Sequence, residues 1–238
     1  MNEPVRINKH LAERGLASRR EADALISAGQ VLVNGKPAQL GQKITFSDKV
    51  EIVGKQKEKQ YIAYYKARGI ITHSPAEGEI DIEVQLKNDH GLTGLHPVGR
   101  LDKDSEGLII LSNDGLITGP LLDPEAKHEK EYEVTVDKDI NPPFLKRMAS
   151  GVEIEGYLTK PAKAELKKGA NKKCFLLTIT EGKKHQIRRM CAALGYQVQS
   201  LKRIRIANIE LKGLKANKYR NITGGELKDF LQELGMTK

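Results

Sequence analysis

The sequence has no tryptophan and only two cysteines in 238 residues. Cys174 and Cys191 lack the CxxC spacing of zinc sites and redox pairs, so we expect two reduced thiols, with Cys191 on the apolar face of a helix. No apolar run approaches the roughly 20 residues that a membrane-spanning helix needs. The first ten residues, MNEPVRINKH, also lack the apolar centre of a signal peptide. These absences argue against a disulfide scaffold or a membrane protein and predict a cytoplasmic protein.

Acidic residues are scarce between Lys160 and Arg220. This stretch holds 17 lysines and arginines but only Glu165, Glu181 and Glu210, a net charge of +14, so the rest of the chain must carry −5 of the total of +9. Charge of one sign in a quarter of the sequence is typical of a surface that binds a polyanion. The basic residues fall mostly in strand-like segments, which favours nucleic acid over a membrane surface. An ordinary basic surface is the alternative, although such surfaces usually interleave both signs.

Residues 1–53 are predicted to form a small module of two helices followed by a hairpin. Ser18 and Glu21 have the spacing of a capping box, which begins the second helix by satisfying its first free backbone N–H groups. Gly29 should end that helix, because glycine accepts the left-handed conformation common there. The module therefore has the order helix, turn, helix, hairpin.

Turn and linker signals divide the chain after this second helix. Asn34–Gly35 suits a type I′ turn between two short strands, and residues 44–53 can supply a further strand. Residues 54–59, GKQKEK, contain no apolar side chain and are predicted to be a linker. The remainder, residues 60–238, is then a second and larger domain.

Residues 60–238 mix strand and helix patterns. We expect strands at residues 61–65, 107–112, 130–136, 152–158, 173–180 and 203–211, and helices at residues 142–150, 183–194 and 223–234. The last helix has a candidate capping box at Thr223 and Glu226. Because strands outnumber helices and the two do not alternate regularly, the sequence predicts an α+β domain rather than a doubly wound sheet.

The segment at residues 96–115, HPVGRLDKDSEGLIILSNDG, is the strongest candidate for chemistry. It places Asp102 in a glycine-bounded turn just before an apolar run, where a carboxylate can be held at the edge of a sheet. A solvated acidic turn is the alternative. Asp104 and Glu106 also allow a two-metal nuclease with Asp102, although the three could equally be a row of turn-shaping residues.

Two further segments have the composition of a site. The first is HEKEYE, which begins at His128, opens a strand and contains Tyr132. The second is EGKKHQIRRM, which begins at Glu181 and enters a helix whose apolar stripe includes Ile187. Arg188 and Arg189 then flank this stripe, so one of them can reach into a cleft while the other meets solvent or RNA. His128 and His185 have no third ligand at metal spacing and are expected to be structural or RNA-facing.

In order and wording, these motifs resemble the RsuA/RluB/RluE/RluF family of rRNA pseudouridine synthases. INKHLAERGLASRREADALISAGQVLVNGKPA resembles an S4 RNA-binding domain, and GRLD, DSEGL and EGKKHQIRRM resemble the catalytic motifs. HEKEYEVTV and RRMCAALGYQV look most like the RluF type, which acts on large-subunit rRNA. The resemblance implies an S4-like α/β domain followed by a synthase domain with a central mixed, largely antiparallel sheet.

The resemblance also implies a reaction and the residues that carry it. Uridine becomes pseudouridine when the N1–C1′ bond breaks, the uracil turns and a C5–C1′ bond forms, which requires no metal or organic cofactor. Asp102 is implied as the catalytic aspartate, Arg188 as its charge partner and Tyr132 as the residue that stacks on the extruded base. Attack at C1′, addition at C6 and abstraction of a sugar proton all remain open for Asp102.

The basic residues complete the expected interface with RNA. Arg100 would fill the space that the base vacates or hold the flanking phosphate. The other expected RNA contacts are Lys9, Arg14, Arg19, Arg20, Lys183, Lys184, Arg189, Lys202, Arg203 and Arg205. We expect the protein to be a monomer. Its expected partner is rRNA or a ribosome assembly intermediate, with 23S rRNA favoured over 16S rRNA. A non-catalytic ribosome-associated RNA-binding protein is the alternative.

Overall fold

The structure is a computed structural model that describes residues 3–45, 47–54 and 58–236. Half of the predicted linker, residues 55–57, lies outside the described residues. The N-terminal elements are β1 (Val5–Arg6), α1 (Ile7–Glu13), α2 (Arg19–Ser27), β2 (Val31–Val33), β3 (Lys36–Pro37), β4 (Lys43–Ile44) and β5 (Val50–Ile52). Their apolar side chains form one small core that includes Ile7, Leu11 and Ile26.

The capping box of α2 is confirmed. Ser18 Oγ accepts a hydrogen bond from the Glu21 N–H, and Glu21 Oε2 accepts one from the Ser18 N–H at 2.8 Å. Asn34 and Gly35 both have positive φ, as a type I′ turn requires. The single strand expected at residues 44–53 is wrong, because β4 and β5 are separate. Asp48 Oδ2 accepts the Thr45 N–H at 2.7 Å and turns the chain between them.

The larger domain contains the remaining helices and strands. The strands are β6 (Tyr61–Lys66), β7 (His96–Val98), β8 (Glu106–Ser112), β9 (Lys130–Val136), β10 (Glu153–Ile154), β11 (Tyr157–Leu158), β12 (Lys163–Leu166), β13 (Cys174–Ile179), β14 (Val198–Ile206), β15 (Ile209–Glu210) and β16 (Tyr219–Asn221). The helices are α3 (Ile82–His90), α4 (Thr118–Leu122), α5 (Pro142–Ser150), α6 (Gln186–Ala193) and α7 (Gly224–Glu233). Within the described part of the chain, no helix has the length and apolar content that crossing a bilayer requires.

A central mixed sheet organises this domain, which confirms the predicted α+β class. Over the described ranges, nine strands pair in the order β12-β13-β9-β14-β8-β6-β16, with β15 beside β14 and β7 beside β8. All of these pairs are antiparallel except β14 with β8. Helix α7 packs on one face and α3 on the other, while α5 and α6 cover the half of the sheet built from β9 and β13. The residues of β9 and β14 that these helices leave uncovered line a cleft.

Three sequence-based boundaries differ from the structure for local reasons. Residues 152–158 form the hairpin β10–β11 instead of one strand, because Glu155 and Gly156 have positive φ and reverse the chain. Residues 203–211 likewise divide between β14 and β15, which pair with each other. The capping box expected at Thr223 is wrong: the Glu226 carboxylate instead binds Arg220 and Lys212.

The N-terminal module contacts the larger domain at the start of α2. Lys59 Nζ donates a hydrogen bond to Glu21 Oε1 at 2.7 Å and lies 3.3 Å from Asp114 Oδ1. The backbone of Gly115 approaches Ser18 so closely that a Cβ there would lie 2.3 Å from Ser18 Oγ. Glu21 therefore caps α2 and joins an ion-pair cluster between the module and the sheet.

Candidate active site

A cleft of about 1020 Å³ opens above β9 and β14, beside the loop that precedes β8. It brings together many of the residues that the sequence predicts for chemistry. Those that line it are Arg100, Asp102, Tyr132, Lys183, Lys184 and Arg203. Segments that are far apart in sequence therefore share one cavity, with a carboxylate, an aromatic ring and several cations around it.

The loop that carries Asp102 is held through its backbone. Buried Thr72 donates its hydroxyl hydrogen to the Leu101 carbonyl at 2.6 Å and accepts the Leu101 N–H at 3.1 Å. The Ser105 N–H closes the turn on the Asp102 carbonyl at 3.0 Å. The Asp102 side chain remains 38% exposed, and its Oδ1 lies 3.6 Å from Nε2 of His185. The backbone is thus fixed while the carboxylate stays accessible from the cleft.

A fully buried lysine holds the loop that follows β6. Lys66 ends β6, has no exposed surface, and donates from Nζ to the carbonyls of Ala67 at 3.1 Å and Ile70 at 2.8 Å. Burial lowers the pKa of Lys66 to about 8, although the nearby carboxylate of Asp102 raises it. Sequence analysis missed this lysine, and its signal was one basic residue at the end of the otherwise uncharged run YIAYYK.

Tyr132 and Arg203 are cross-strand neighbours. They are Cα partners in the β9–β14 ladder, so their side chains share one face of the sheet. Arg203 is 5% exposed, and its Nε donates to the Leu108 carbonyl at 2.7 Å. Its guanidinium carbon lies 6.0 Å from the centroid of the Tyr132 ring. Arg203, which the sequence predicts as an RNA contact, is therefore buried in the floor of the cleft and does not lie on the outer surface.

Buried Glu181 organises the loop before α6. Its carboxylate accepts hydrogen bonds from the Tyr157 hydroxyl at 2.6 Å, the Gln186 amide at 2.6 Å and the Lys160 N–H at 3.0 Å. Gln186 Oε1 also accepts the Lys183 N–H at 2.9 Å. This network holds the loop, so α6 begins at Gln186 rather than at residue 183 as predicted. Sequence analysis identified the motif but missed the structural part that Glu181 and Gln186 take in it.

Arg188 contacts the turn after Asp102 and not the Asp102 carboxylate. Its Nη2 donates to the Asp104 carbonyl at 3.0 Å and lies 3.4 Å from Ser105 Oγ, while Nη1 donates to the Val198 carbonyl at 3.4 Å. The direct ion pair that the resemblance implies is therefore absent between these two side chains. The reason is geometric: α6 directs Arg188 to the carbonyl of Asp104 in the turn, and Nε2 of His185 instead lies 3.6 Å from Oδ1 of Asp102.

The acidic residues near Asp102 do not converge on a common point. Glu106 Oε2 accepts the hydroxyl hydrogen of Tyr65 at 2.8 Å, and the Asp104 side chain is exposed. Over residues 3–45, 47–54 and 58–236, no group of three histidine, cysteine or acidic side chains could hold a metal ion. His128 is buried, with Nδ1 3.4 Å from Oε1 of Glu233. This arrangement gives no support to the two-metal nuclease alternative.

The predicted RNA contacts fall into separate groups. Lys9, Arg14, Arg19 and Arg20 are exposed on the two helices of the N-terminal module, and Arg100, Lys183 and Lys184 are exposed at the cleft. Arg189 pairs with Glu155. Lys202 and Arg205 do not join the cleft: Lys202 lies over the Tyr65 ring, and Arg205 pairs with Glu129 and Glu131. Adjacent residues of a strand point to opposite faces, so Arg203 and Lys202 cannot both face the cleft.

Comparison with known proteins decides the family. The S4 domain model matches residues 5–50, and the RNA pseudouridylate synthase model matches residues 60–193. The chain belongs to the RNA pseudouridylate synthase family. This RNA pseudouridine synthase is similar to a solved structure titled as a pseudouridylate synthase, with a TM-score of 0.69, 29% identity, and coverage of 97% of this chain and 99% of that one.

Two curated relatives extend the similarity of this pseudouridine synthase over nearly its full length. It is 41% identical to the dual-specificity RNA pseudouridine synthase RluF of Escherichia coli, over 96% of this chain and 79% of that protein. It is 38% identical to the ribosomal large subunit pseudouridine synthase B of Bacillus subtilis, over 94% of each chain. Both of the predicted domains, and not the catalytic motifs alone, are therefore shared with these proteins.

We expect Arg188→Met to slow pseudouridine formation about 100-fold, because loss of the guanidinium frees the turn that positions Asp102 and small misplacements of reacting groups cost about that much. Single-turnover rates with saturating enzyme measure the effect. Arg189→Met is the matched control on the same helix, since Arg189 pairs with a turn outside the cleft. Equal rates for the two variants would contradict the positioning role of Arg188.

Proposed function

We propose that this enzyme converts a uridine of large-subunit rRNA to pseudouridine. The observation that carries the proposal is the 38% identity, over 94% of both chains, to a protein named ribosomal large subunit pseudouridine synthase B. The dual-specificity name of the other relative favours a second RNA as an additional substrate. We also propose the division into a binding domain at residues 1–53, a linker at residues 54–59 and a catalytic domain at residues 60–238.

In this proposal, Asp102 acts on the uridine whose base has left the helical stack and entered the cleft. Breaking the N1–C1′ bond and forming the C5–C1′ bond rearranges one nucleotide, so atoms and electrons balance without an added group. Tyr132 offers an aromatic face for the extruded uracil and lines the same cleft as Asp102. Exposed Arg100, two residues from Asp102, would occupy the space that the base leaves or hold the adjacent phosphate.

We expect cations at two places to bind the RNA backbone. Lys9, Arg14, Arg19 and Arg20, which lie on or next to α1 and α2, would contact phosphates. Lys183 and Lys184 beside the cleft would do the same. Phosphate contacts release counterions, so affinity should fall steeply as salt rises. Arg203 is buried, and Lys202 and Arg205 face away from the cleft, so these three are not among the proposed phosphate contacts.

We expect Arg19→Ala combined with Arg20→Ala to weaken RNA binding about 10-fold near physiological salt and to reduce the slope of log K against log salt by about 2, since two phosphate contacts are lost. Filter binding across a salt series measures both quantities. The control is Lys146→Ala with Arg147→Ala, which removes the same charge from exposed positions on α5. Equal weakening by the two pairs would contradict a specific role for the N-terminal module.

The RNA target can be tested with purified components. The enzyme is incubated separately with transcripts of large-subunit rRNA, small-subunit rRNA and a tRNA pool, and pseudouridine is quantified in digests of each RNA. We expect formation in large-subunit rRNA at one position or a few. Formation confined to small-subunit rRNA or tRNA would overturn the proposed target and leave the family activity intact.

A further inference from the structure

Arg203 is a buried cation whose hydrogen bonds are incomplete. Only Nε has a short acceptor, since Nη1 reaches the Arg100 carbonyl at 3.4 Å and the Tyr132 hydroxyl at 3.5 Å. Nη2 is buried and finds no hydrogen-bond acceptor among the described residues. No carboxylate in the described part of the chain lies within 4 Å as an ion-pair partner. Burying a guanidinium without its counter-charge is costly, which points to a charge that arrives with a ligand.

Two more cations adjoin Arg203 in the interior. Lys130 lies two residues before Tyr132 on β9, lines the same cleft, and donates from Nζ to the His128 carbonyl at 3.2 Å. Burial and the charge of Arg203 lower the pKa of Lys130. Arg203 lowers the pKa of fully buried Lys66, and Asp102 raises it. The cations Arg203 and Lys130 therefore line the cleft directly, and the Asp102 carboxylate lines the same cleft.

The reaction creates negative charge on the base whichever route Asp102 takes. If Asp102 attacks C1′ or removes a sugar proton, the bonding pair of N1–C1′ stays on uracil and spreads to its two carbonyl oxygens. If Asp102 adds to C6, the displaced pair moves to the O4 enolate. Pre-positioned positive charge stabilises such a state most in a site with little water. A buried cation on the floor of the cleft would meet this need in all three cases.

We infer that Arg203 stabilises the negative charge that the uracil ring carries during the exchange of the N1–C1′ bond for the C5–C1′ bond. The inference rests on the proposed position of uridine beside Asp102 and Tyr132. Arg203 shares a sheet face with Tyr132, whereas the exposed cations at the cleft, such as Lys183 and Lys184, suit the phosphates of the RNA backbone. Formation of the C5–C1′ bond uses the electron pair of the anion and neutralises the ring, and transfer of the C5 proton to N1 then completes the isomerisation.

The test compares uridine with 5-fluorouridine at the target position of the same RNA. Fluorine withdraws electrons from the uracil ring and stabilises its anion, so the anion depends less on stabilisation by a positive charge of the protein. We expect Arg203→Gln to slow single-turnover loss of uridine about 100-fold, the usual effect of removing one such group, but loss of 5-fluorouridine only about 10-fold. Arg203→Lys keeps the charge and should lose less than about 10-fold with uridine. RNA affinity and the thermal midpoint serve as controls for folding.

Equal losses with the two nucleotides in Arg203→Gln would overturn the inference, because a merely structural defect does not depend on the acidity of the base. A loss below about 3-fold in Arg203→Gln would overturn it as well. If Arg203→Gln does not fold, Arg203→Met, which is also neutral and of similar length, is used for the same comparison. The RNA used is whichever one the wild-type enzyme modifies, so failure of the proposed rRNA target and failure of the role of Arg203 give different results.

Discussion

Asp102→Asn is expected to lower the rate of pseudouridine formation by at least about 10⁴-fold, the scale seen when a nucleophile or base is removed. The amide has almost the shape of the carboxylate but can neither attack C1′ or C6 nor accept a sugar proton. Thr72 and Ser105 hold the backbone of the loop, so the substitution should leave its geometry intact. Single-turnover formation of pseudouridine measures the loss, and RNA affinity should remain within about 2-fold of wild type.

The matched control for this prediction is Asp104→Asn. Asp104 lies in the same turn, its side chain is exposed, and only its backbone carbonyl accepts from Arg188. We therefore expect this variant to react at nearly the wild-type rate. Activity in Asp102→Asn comparable to that of Asp104→Asn would remove Asp102 from the chemistry.

The second large effect is expected at Gly107, where β8 meets β14 in the one parallel pair of the described sheet. Gly107 has a φ of +105°, and a Cβ there would lie 2.3 Å from the carbonyl oxygen of Arg203 and 2.7 Å from the backbone nitrogen of Arg203. Moving the backbone of a central strand to relieve these contacts would break its hydrogen bonds. We expect Gly107→Ala to lower the free energy of unfolding by about 3 kcal/mol or more and to abolish activity, because it displaces Arg203 and Tyr132 together.

Denaturant unfolding measures the stability change, and Gly119→Ala is the control. Gly119 lies in α4 with an ordinary φ and no atom within 4 Å of an added Cβ. Alanine is a better helix former than glycine, so this variant should be at least as stable as wild type. A Gly107→Ala protein that matches it in stability would show that the close approach of β8 and β14 is not required.

Local signals in the sequence predicted local structure well. The apolar stripe of α6 and the capping box at Ser18 are decided within a few residues of chain, and both are confirmed. The start of α6 at Gln186 and the turn at Glu155 were mispredicted. The start of α6 depends on hydrogen bonds to Glu181. The turn depends on a positive φ at Glu155, and glutamate gives no sequence signal for that conformation. Helix and strand ends of this kind are set by tertiary contacts.

The site was predictable only in part for the same reason. The motifs and the family resemblance identified Asp102 and Tyr132, which the structure brings to one cleft. The contact of Arg188 with the Asp104 carbonyl, and the burial of Arg203, follow from how distant strands pair. Lys202 is adjacent to Arg203 in sequence, yet the register of β14 against β9 places the two on opposite faces. Charge counting along the chain could not separate them.

The role of this enzyme in the cell can be tested by mapping pseudouridine in rRNA from the source organism with and without this gene. We expect one or a few pseudouridines in large-subunit rRNA to disappear in the deletion, to return when the wild-type gene is restored, and to stay absent when Asp102→Asn is supplied at the same level. An unchanged large-subunit map in the deletion, or restoration by the Asp102→Asn gene, would contradict this expectation.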